Sequence, residues 1–430
     1  MPGKPASGIG IPQIGELQYF ASDQLVKSML SFEAALAQAL GELGVCPQHS
    51  ADAIMQVCLS IQPDEQALQA SQWSNATVVP ALVDQIRRQL PDHCRAWVHF
   101  GATSQDTIDT AFNISYVRAL SELDEALRVI ARQLAALVVA HKTTITVGRT
   151  LMQGAAAMTL GLRFATWLDS ILDLTLEIQR ARNALSLQFG GSVGNLALLG
   201  EQGLDVGRLI ASALGLKFSI PWHTNRYQRF LISSAITLGS IVIEKISEDL
   251  ILLSQDDIGE LSFSSGSSST LPNKRNAALA IGARTKARVA FSNATGAMGN
   301  MSPELERGAG SWQAENQILP LALDAIVDGT RLLTAALAGL EIHTECVGRR
   351  LGEELCLSES LRVELEQTLG FEESKRVLPE ILELTRNQGC SLGAATKIVT
   401  GLEARVDLLL GSNQQIIDTV LRRLEDLENG

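Results

Sequence analysis

Residues 262–280 read SFSSGSSSTLPNKRNAALA. Serine, threonine and glycine commit weakly to helix or strand, so the stretch reads as a loop. A plain linker accounts for the serines. It does not account for the cluster Asn273, Lys274, Arg275 and Asn276 that follows them. Cations and amides packed this closely suit an anion, and the glycine and serines give such a loop freedom to move.

Three other stretches carry residues of comparable promise. In HFGATSQD (99–106), Thr103 and Ser104 can donate to a carboxylate at a helix start, where the helix dipole favours anions. Asp106 either joins that site or caps the helix. His99 either binds or protonates a ligand, or is an ordinary packed ring beside Phe100. In VGRTLMQG (147–154), Thr150 and Gln153 can hydrogen-bond a carboxylate. Arg149, with Arg226 in PWHTNR (221–226) and Arg275, either pairs with substrate charge or forms a helix-end salt bridge. His141 and His223 stay open between packing and function. GGSVG (190–194) lacks the Lys-Ser/Thr of a phosphate loop and reads as a tight turn.

The elements that must position these residues are helical. Asp23 reads as an N-cap before the stripe Leu25, Met29, Phe32, Leu36 and Leu40. From near Asp106, the residues Ile108, Phe112, Tyr116, Leu120, Leu123, Leu127, Ile130, Leu134 and Leu137 hold one stripe. Further long stripes run over 156–187, 228–253, 276–297 and 312–340. No alternating strand pattern and no βαβ rhythm is expected. The polar motifs fall at the ends of these helices, which can converge when long helices pack side by side. Beyond about residue 345 shorter amphipathic segments follow, at 359–370, 374–386, 391–410 and 413–428. The expected organisation is all-α: an N-terminal helical domain (1–105), a central long-helix bundle (106–345) and a C-terminal helical domain (346–430). Helices this long and this apolar predict packing between subunits.

Composition narrows the function. The chain has 430 residues, 46% of them hydrophobic and only 4% aromatic, so its core is built from Leu, Ala, Ile and Val. The formal net charge of −12 argues against non-specific nucleic-acid binding but not against a local basic pocket. Cys46, Cys58, Cys94, Cys346, Cys356 and Cys390 form no CxxC pair and read as buried or idle thiols of a reducing compartment. No metal-ligand spacing joins them to the histidines. The opening residues MPGKPASGIGIPQIG do not read as a signal peptide or transit sequence, and no unbroken apolar run reaches the ~18 residues of a membrane span. A cytoplasmic protein without membrane association is expected.

Taken together, the stretches resemble the fumarase/aspartase superfamily. SSTLPNKRN (268–276) is similar to its S-S-x-M-P-x-K-x-N loop, with Leu271 for Met and Gly266 one place earlier than the usual glycine. VHFGATSQDTIDT (98–110) resembles its H-x-G-x-T-S-x-D segment, and GRTLMQ (148–153) its G-R-T-x-x-Q segment. PWHTNR (221–226) and ERGAGSWQAE (306–315) resemble the cycloisomerase branch, whose members lactonise a carboxylated muconate. The likeness spans roughly residues 20–340.

The resemblance implies a homotetramer with active sites shared between subunits, a small di- or tricarboxylate substrate, and no metal or organic cofactor. It implies that Ser268 exchanges the proton at the carbon α to a carboxylate, with Lys274 and Asn276 stabilising the developing dianion. His99, Thr103, Ser104, Arg149, Thr150, Gln153, Arg226, Ser269 and Arg275 are the implied substrate contacts. The loop then becomes a catalytic lid. Superfamily lyases that release an amine or hydroxide usually carry Thr-His where this chain has Thr150-Leu151. Losing such an acid–base group typically costs 10²–10⁴ in rate. Lactonisation needs no proton at the attacking oxygen, because a carboxylate is already anionic at neutral pH. The expected reaction is therefore lactonisation of a 3-carboxylated or otherwise 3-substituted muconate in aromatic catabolism. A C–N lyase and a non-catalytic structural homologue are the alternatives. Asn273, Ala277 and Tyr227-Gln228 depart from the branch's common residues and leave the 3-substituent open.

Overall fold

Apolar stripes at helical spacing become helices wherever a partner surface covers them. The computed structural model describes residues 19–264, 266, 270–271, 274–349, 355–403 and 408–429. Five helices come first: α1 (Ser22–Glu42), α2 (Gln48–Ser60), α3 (Glu65–Asn75), α4 (Val79–Arg88) and α5 (Asp92–Arg95). The longest helix is α6 (Ser104–Ala140), followed by strands β1 (Ile145–Thr150) and β2 (Gln153–Thr159). Helices α7 (Leu160–Asn183), α8 (Gly203–Ala213) and α9 (Tyr227–Leu253) precede strand β3 (Leu261–Phe263). Then come α10 (Ala278–Met298), α11 (Ser311–Ala338) and strand β4 (Leu340–Ile342). The chain closes with α12 (Thr344–Arg349), α13 (Ser358–Leu369), α14 (Phe371–Gln388), α15 (Leu392–Thr400) and α16 (Asn413–Asn429).

The fold is the all-α long-helix architecture expected, with three local corrections. VGRTLMQG is a β-hairpin. β1 and β2 pair antiparallel from Ile145↔Thr159 to Thr150↔Gln153, so the stripe assigned from residue 156 starts as strand. A second small sheet pairs β3 with β4. The cap of α1 is Ala21 without a side-chain bond, and Asp23 lies inside the first turn.

The chain divides into two units. One comprises Met1–Asp124, Glu177–Ser240 and Ala287–Asp328. Its core gathers Phe32, Leu36 and Leu40 of α1 with Phe189, Leu196, Val206 and Ile210. The other comprises Glu125–Leu176, Ile241–Lys286 and Gly329–Gly430. Its C-terminal helices share a core of Leu361, Leu365, Val377, Ile381, Leu392 and Ala395. Each of the helices α6, α7, α9, α10 and α11 gives one part to each unit.

Helix α9 is long and apolar enough to cross a bilayer by length and composition, yet 61% of its most apolar window is buried inside the protein. Its fully buried Arg229 is held by carboxylates, which identifies α9 as a core helix.

Candidate active site

In the first unit, the start of α6 is built by the sequence Thr-Ser-Gln-Asp. The Thr103 carbonyl accepts from the Asp106 N–H, and the Thr103 N–H donates to Asp106 Oδ2 at 3.0 Å. This is the backward arm of a capping box, legible as T-x-x-D. Asp106 also accepts from the Gly190 and Gly191 amides at 3.1 and 2.9 Å and from Gln188 at 2.9 Å. His223 Nε2 lies 2.8 Å from the same carboxylate. The GG turn thus does bind an anion, and the anion is this chain's own Asp106. Gly190 is required there, since a Cβ would stand 2.7 Å from both the His223 ring and Pro221.

Beside this hub His99 adopts φ +61, a backbone region few non-glycine residues occupy. Its Nδ1 sits 2.7 Å from Oε1 of Glu33 on α1, and Thr107 donates to the same oxygen at 3.0 Å. Burial works against the His99 cation. The charge and hydrogen bond of Glu33 outweigh it, with Asp106 adding and Arg87 opposing, and raise the ring above its ordinary value. Thr103 and Ser104 are half-buried at the same helix start.

Arg226 is a correction. Its guanidinium is bidentate to Asp109 at 2.7 and 3.1 Å and to Glu315 at 3.1 and 2.5 Å, with its side chain 1% exposed. Arg229 joins the same two carboxylates and lies over Tyr116 and Trp222. Burial disfavours the Asp109 carboxylate, yet Arg226 above all, then Arg229 and Gln105, hold its pKa down to about 2. Two cations and two anions neutralise one another here, so Arg226 has no face for substrate.

In the second unit, the hairpin carries Arg149, Thr150 and Gln153. Thr150 and Gln153 face each other across a two-residue turn made by Leu151 and Met152. Both turn residues have positive φ, +49 and +64, and their exposures are 96% and 74%. Positive φ at both positions is the geometry usually given to Asn-Gly. Buried Glu260 holds Arg149 at 2.6 Å and Arg163 at 3.1 Å. Two guanidinium groups share this one carboxylate, and Lys245 pairs with Asp249 close by. A cleft of about 880 Å³ opens there, lined by Arg149, Thr150, Gln153, Lys245, Asp249 and Asp257 among others. That is room for a small carboxylate ligand.

The same unit holds the neck of the serine-rich loop. The Asn276 N–H donates to the Gly266 carbonyl at 2.7 Å, and the Ser264 N–H to Gly339 at 3.2 Å. Gly266 has φ +111, and a Cβ on it would lie 2.0 Å from the Asn276 carbonyl oxygen. Lys274 and Arg275 are exposed and Asn276 is half-buried. Ser268, Ser269 and Asn273 lie outside the described residues.

The expected residues therefore form two groups within one chain. His99, Thr103 and Ser104 come together at the α6 start. Arg149, Thr150 and Gln153 come together on the hairpin. Glu33 and Glu260 were not anticipated. The signal for Glu33 is a lone acid four residues from Met29 and three from Leu36, on the apolar side of α1. Glu260 carries no comparable signal.

The lyase family model matches residues 17–289. The chain is 34% identical over 413 residues to the 3-carboxy-cis,cis-muconate cycloisomerase of Pseudomonas aeruginosa, covering 92% of this chain and 88% of that one. It is 36% identical over 320 residues to the enzyme of the same name from Bradyrhizobium diazoefficiens, covering 70% and 71%. The crystal structure of the 3-carboxy-cis,cis-muconate lactonizing enzyme from Pseudomonas putida superposes with a TM-score of 0.85 at 28% identity, covering 95% of this chain and 97% of that one.

Proposed function

Because the chain belongs to the lyase family of the fumarase/aspartase superfamily, we propose that it is a cycloisomerase that lactonises 3-carboxy-cis,cis-muconate. The observation that carries this reading is the likeness to enzymes of that activity over 92% of the chain. Leu151 favours it over amine release. An apolar side chain at the hairpin tip cannot handle a leaving-group proton, and a carboxylate nucleophile has none to exchange.

In the reaction, a carboxylate oxygen of the substrate adds to an alkene carbon and the C–O bond forms. The alkene electron pair moves toward the neighbouring carboxylate to give an aci-carboxylate dianion. A proton delivered to the α-carbon completes the lactone, so the trianion takes up one proton per turnover. Ser268 is assigned the proton, and Lys274 and Asn276 the dianion. Arg149, Thr150, Gln153, Ser269 and Arg275 are assigned to the substrate carboxylates, with Thr103, Ser104 and His99 at the α6 helix start. Exposed apolar residues on the long helices support association into a homotetramer with shared sites: Phe230 and Ile241 on α9, Ile281 and Phe291 on α10, Leu321 on α11.

Loss of the muconate chromophore near neutral pH, with proton uptake followed in the same cuvette, tests the activity. One proton consumed per chromophore lost is expected, and an unchanged spectrum overturns the reading. Light scattering tests the assembly: four copies of the 46.2 kDa chain are expected, and a stable monomer at micromolar concentration contradicts it.

A further inference from the structure

Two histidine–carboxylate pairs stand at the start of α6, and their hydrogen bonding differs. His223 is 6% exposed, and its partner Asp106 accepts amide donors at both oxygens. In the other pair, Glu33 is 1% exposed and takes His99 and Thr107 on Oε1, while its Oε2 is buried without a partner among the described residues. A half-satisfied buried carboxylate is costly unless a cation faces it. Thr107 is neutral, so of its two contacts only the imidazole can be that cation. His99 keeps 15% side-chain exposure, and among the described residues only its Nδ1 has a partner. The positive φ of His99 is strain of the kind retained where a side chain must be aimed.

We propose that Glu33 is a positioning residue for the reaction: it binds Nδ1–H of His99, keeps the ring cationic, and so presents Nε2–H to a carboxylate of the tricarboxylate substrate. This rests on the lactonase reading for the identity of the ligand. The pair itself rests on geometry alone. Other ionisable groups surround it. Asp106 on α6 supports the cation, and Arg87 on α4, whose guanidinium donates to the Val98 carbonyl, opposes it. Cys58 on α2 stays a thiol, because burial and then Glu33 push its pKa up. A cationic donor serves a substrate that arrives as a trianion. Its loss should weaken binding more than chemistry.

The test begins without substrate. Histidine-labelled protein is titrated by NMR, with His99 assigned through His99→Gln. The ring should titrate above 6.5, and lower in Glu33→Gln than in the unmodified protein. A value at or below 6.5 in the unmodified protein overturns the proposal, so it stays testable if Glu33→Gln does not fold. At pH 8, Glu33→Gln should raise KM for carboxymuconate about tenfold with kcat little changed, and the difference should close toward pH 6. A His99 pKa that falls while KM, or Kd for carboxymuconate by calorimetry, stays unchanged at pH 8 also overturns it. Failure of the unmodified protein to turn over muconate sinks the lactonase reading instead, and calorimetry then decides whether the pair binds the tricarboxylate.

Discussion

At the start of α6, Asp106 alone collects donors from Thr103, Gln188, Gly190 and Gly191 and sits against His223. At the β1–β2 turn, Leu151 and Met152 stand in solvent with strained backbones, and the neighbouring arginines share a single carboxylate. Both regions carry motif residues, but their polar groups are in opposite states. Those of the first are spent inside the chain, which makes that region a frame. Much of the second is unspent, which suits groups meant for a ligand or another copy. His99, with the Thr103 and Ser104 hydroxyls, is the part of the frame that still offers donors outward.

Several substitutions would break or sharpen this contrast. Ser268→Ala, in the loop, should lower turnover roughly 10²–10⁴-fold while changing stability by no more than ~0.5 kcal/mol. Steady-state kinetics beside urea unfolding would show it, and near-normal turnover would move the proton to another donor, His99 first. Arg226→Met, in the frame, should do the reverse. It leaves Asp109 and Glu315 buried with one cation fewer and should destabilise by about 3–5 kcal/mol. An unfolding midpoint close to that of the unmodified protein would return Arg226 to the substrate. Gly266→Ala forces the loop neck apart at Asn276 and should cut kcat by up to about 10²-fold, the effect of a small misplacement. Its melting temperature should barely move; a melting loss with intact kcat would make the neck purely structural. The smallest effect is expected from Leu151-Met152→Asn-Gly. Residues suited to positive φ should raise stability by about 1 kcal/mol, and a loss would show that the apolar tip is held by contacts with another copy.

The sequence made the long helices legible because one stripe, from Ile108 to Leu137, repeats at a single period with no competing pattern. The hairpin was hidden. Its second strand, Gln153–Thr159, reads QGAAAMT, without alternation and rich in helix-forming alanine. Its strand state comes from pairing with the β-branched first strand, and its turn uses Leu and Met where glycine or asparagine would announce a turn. Arg226 was misread for a related reason. A cation at a helix start looks the same whether it faces solvent or a buried carboxylate, and its partners lie 117 and 89 residues away in the chain. The motif residues themselves were readable because their types and order are constrained locally. Their supports, Glu33 and Glu260, are set only by tertiary contacts.

The most direct measurement compares kcat/KM for 3-carboxy-cis,cis-muconate with that for adenylosuccinate on one preparation. The Leu151 side chain offers no acid for an amine leaving group, so muconate turnover should exceed adenylosuccinate cleavage by at least about 10²-fold. Robust adenylosuccinate cleavage with no muconate turnover would contradict the assignment.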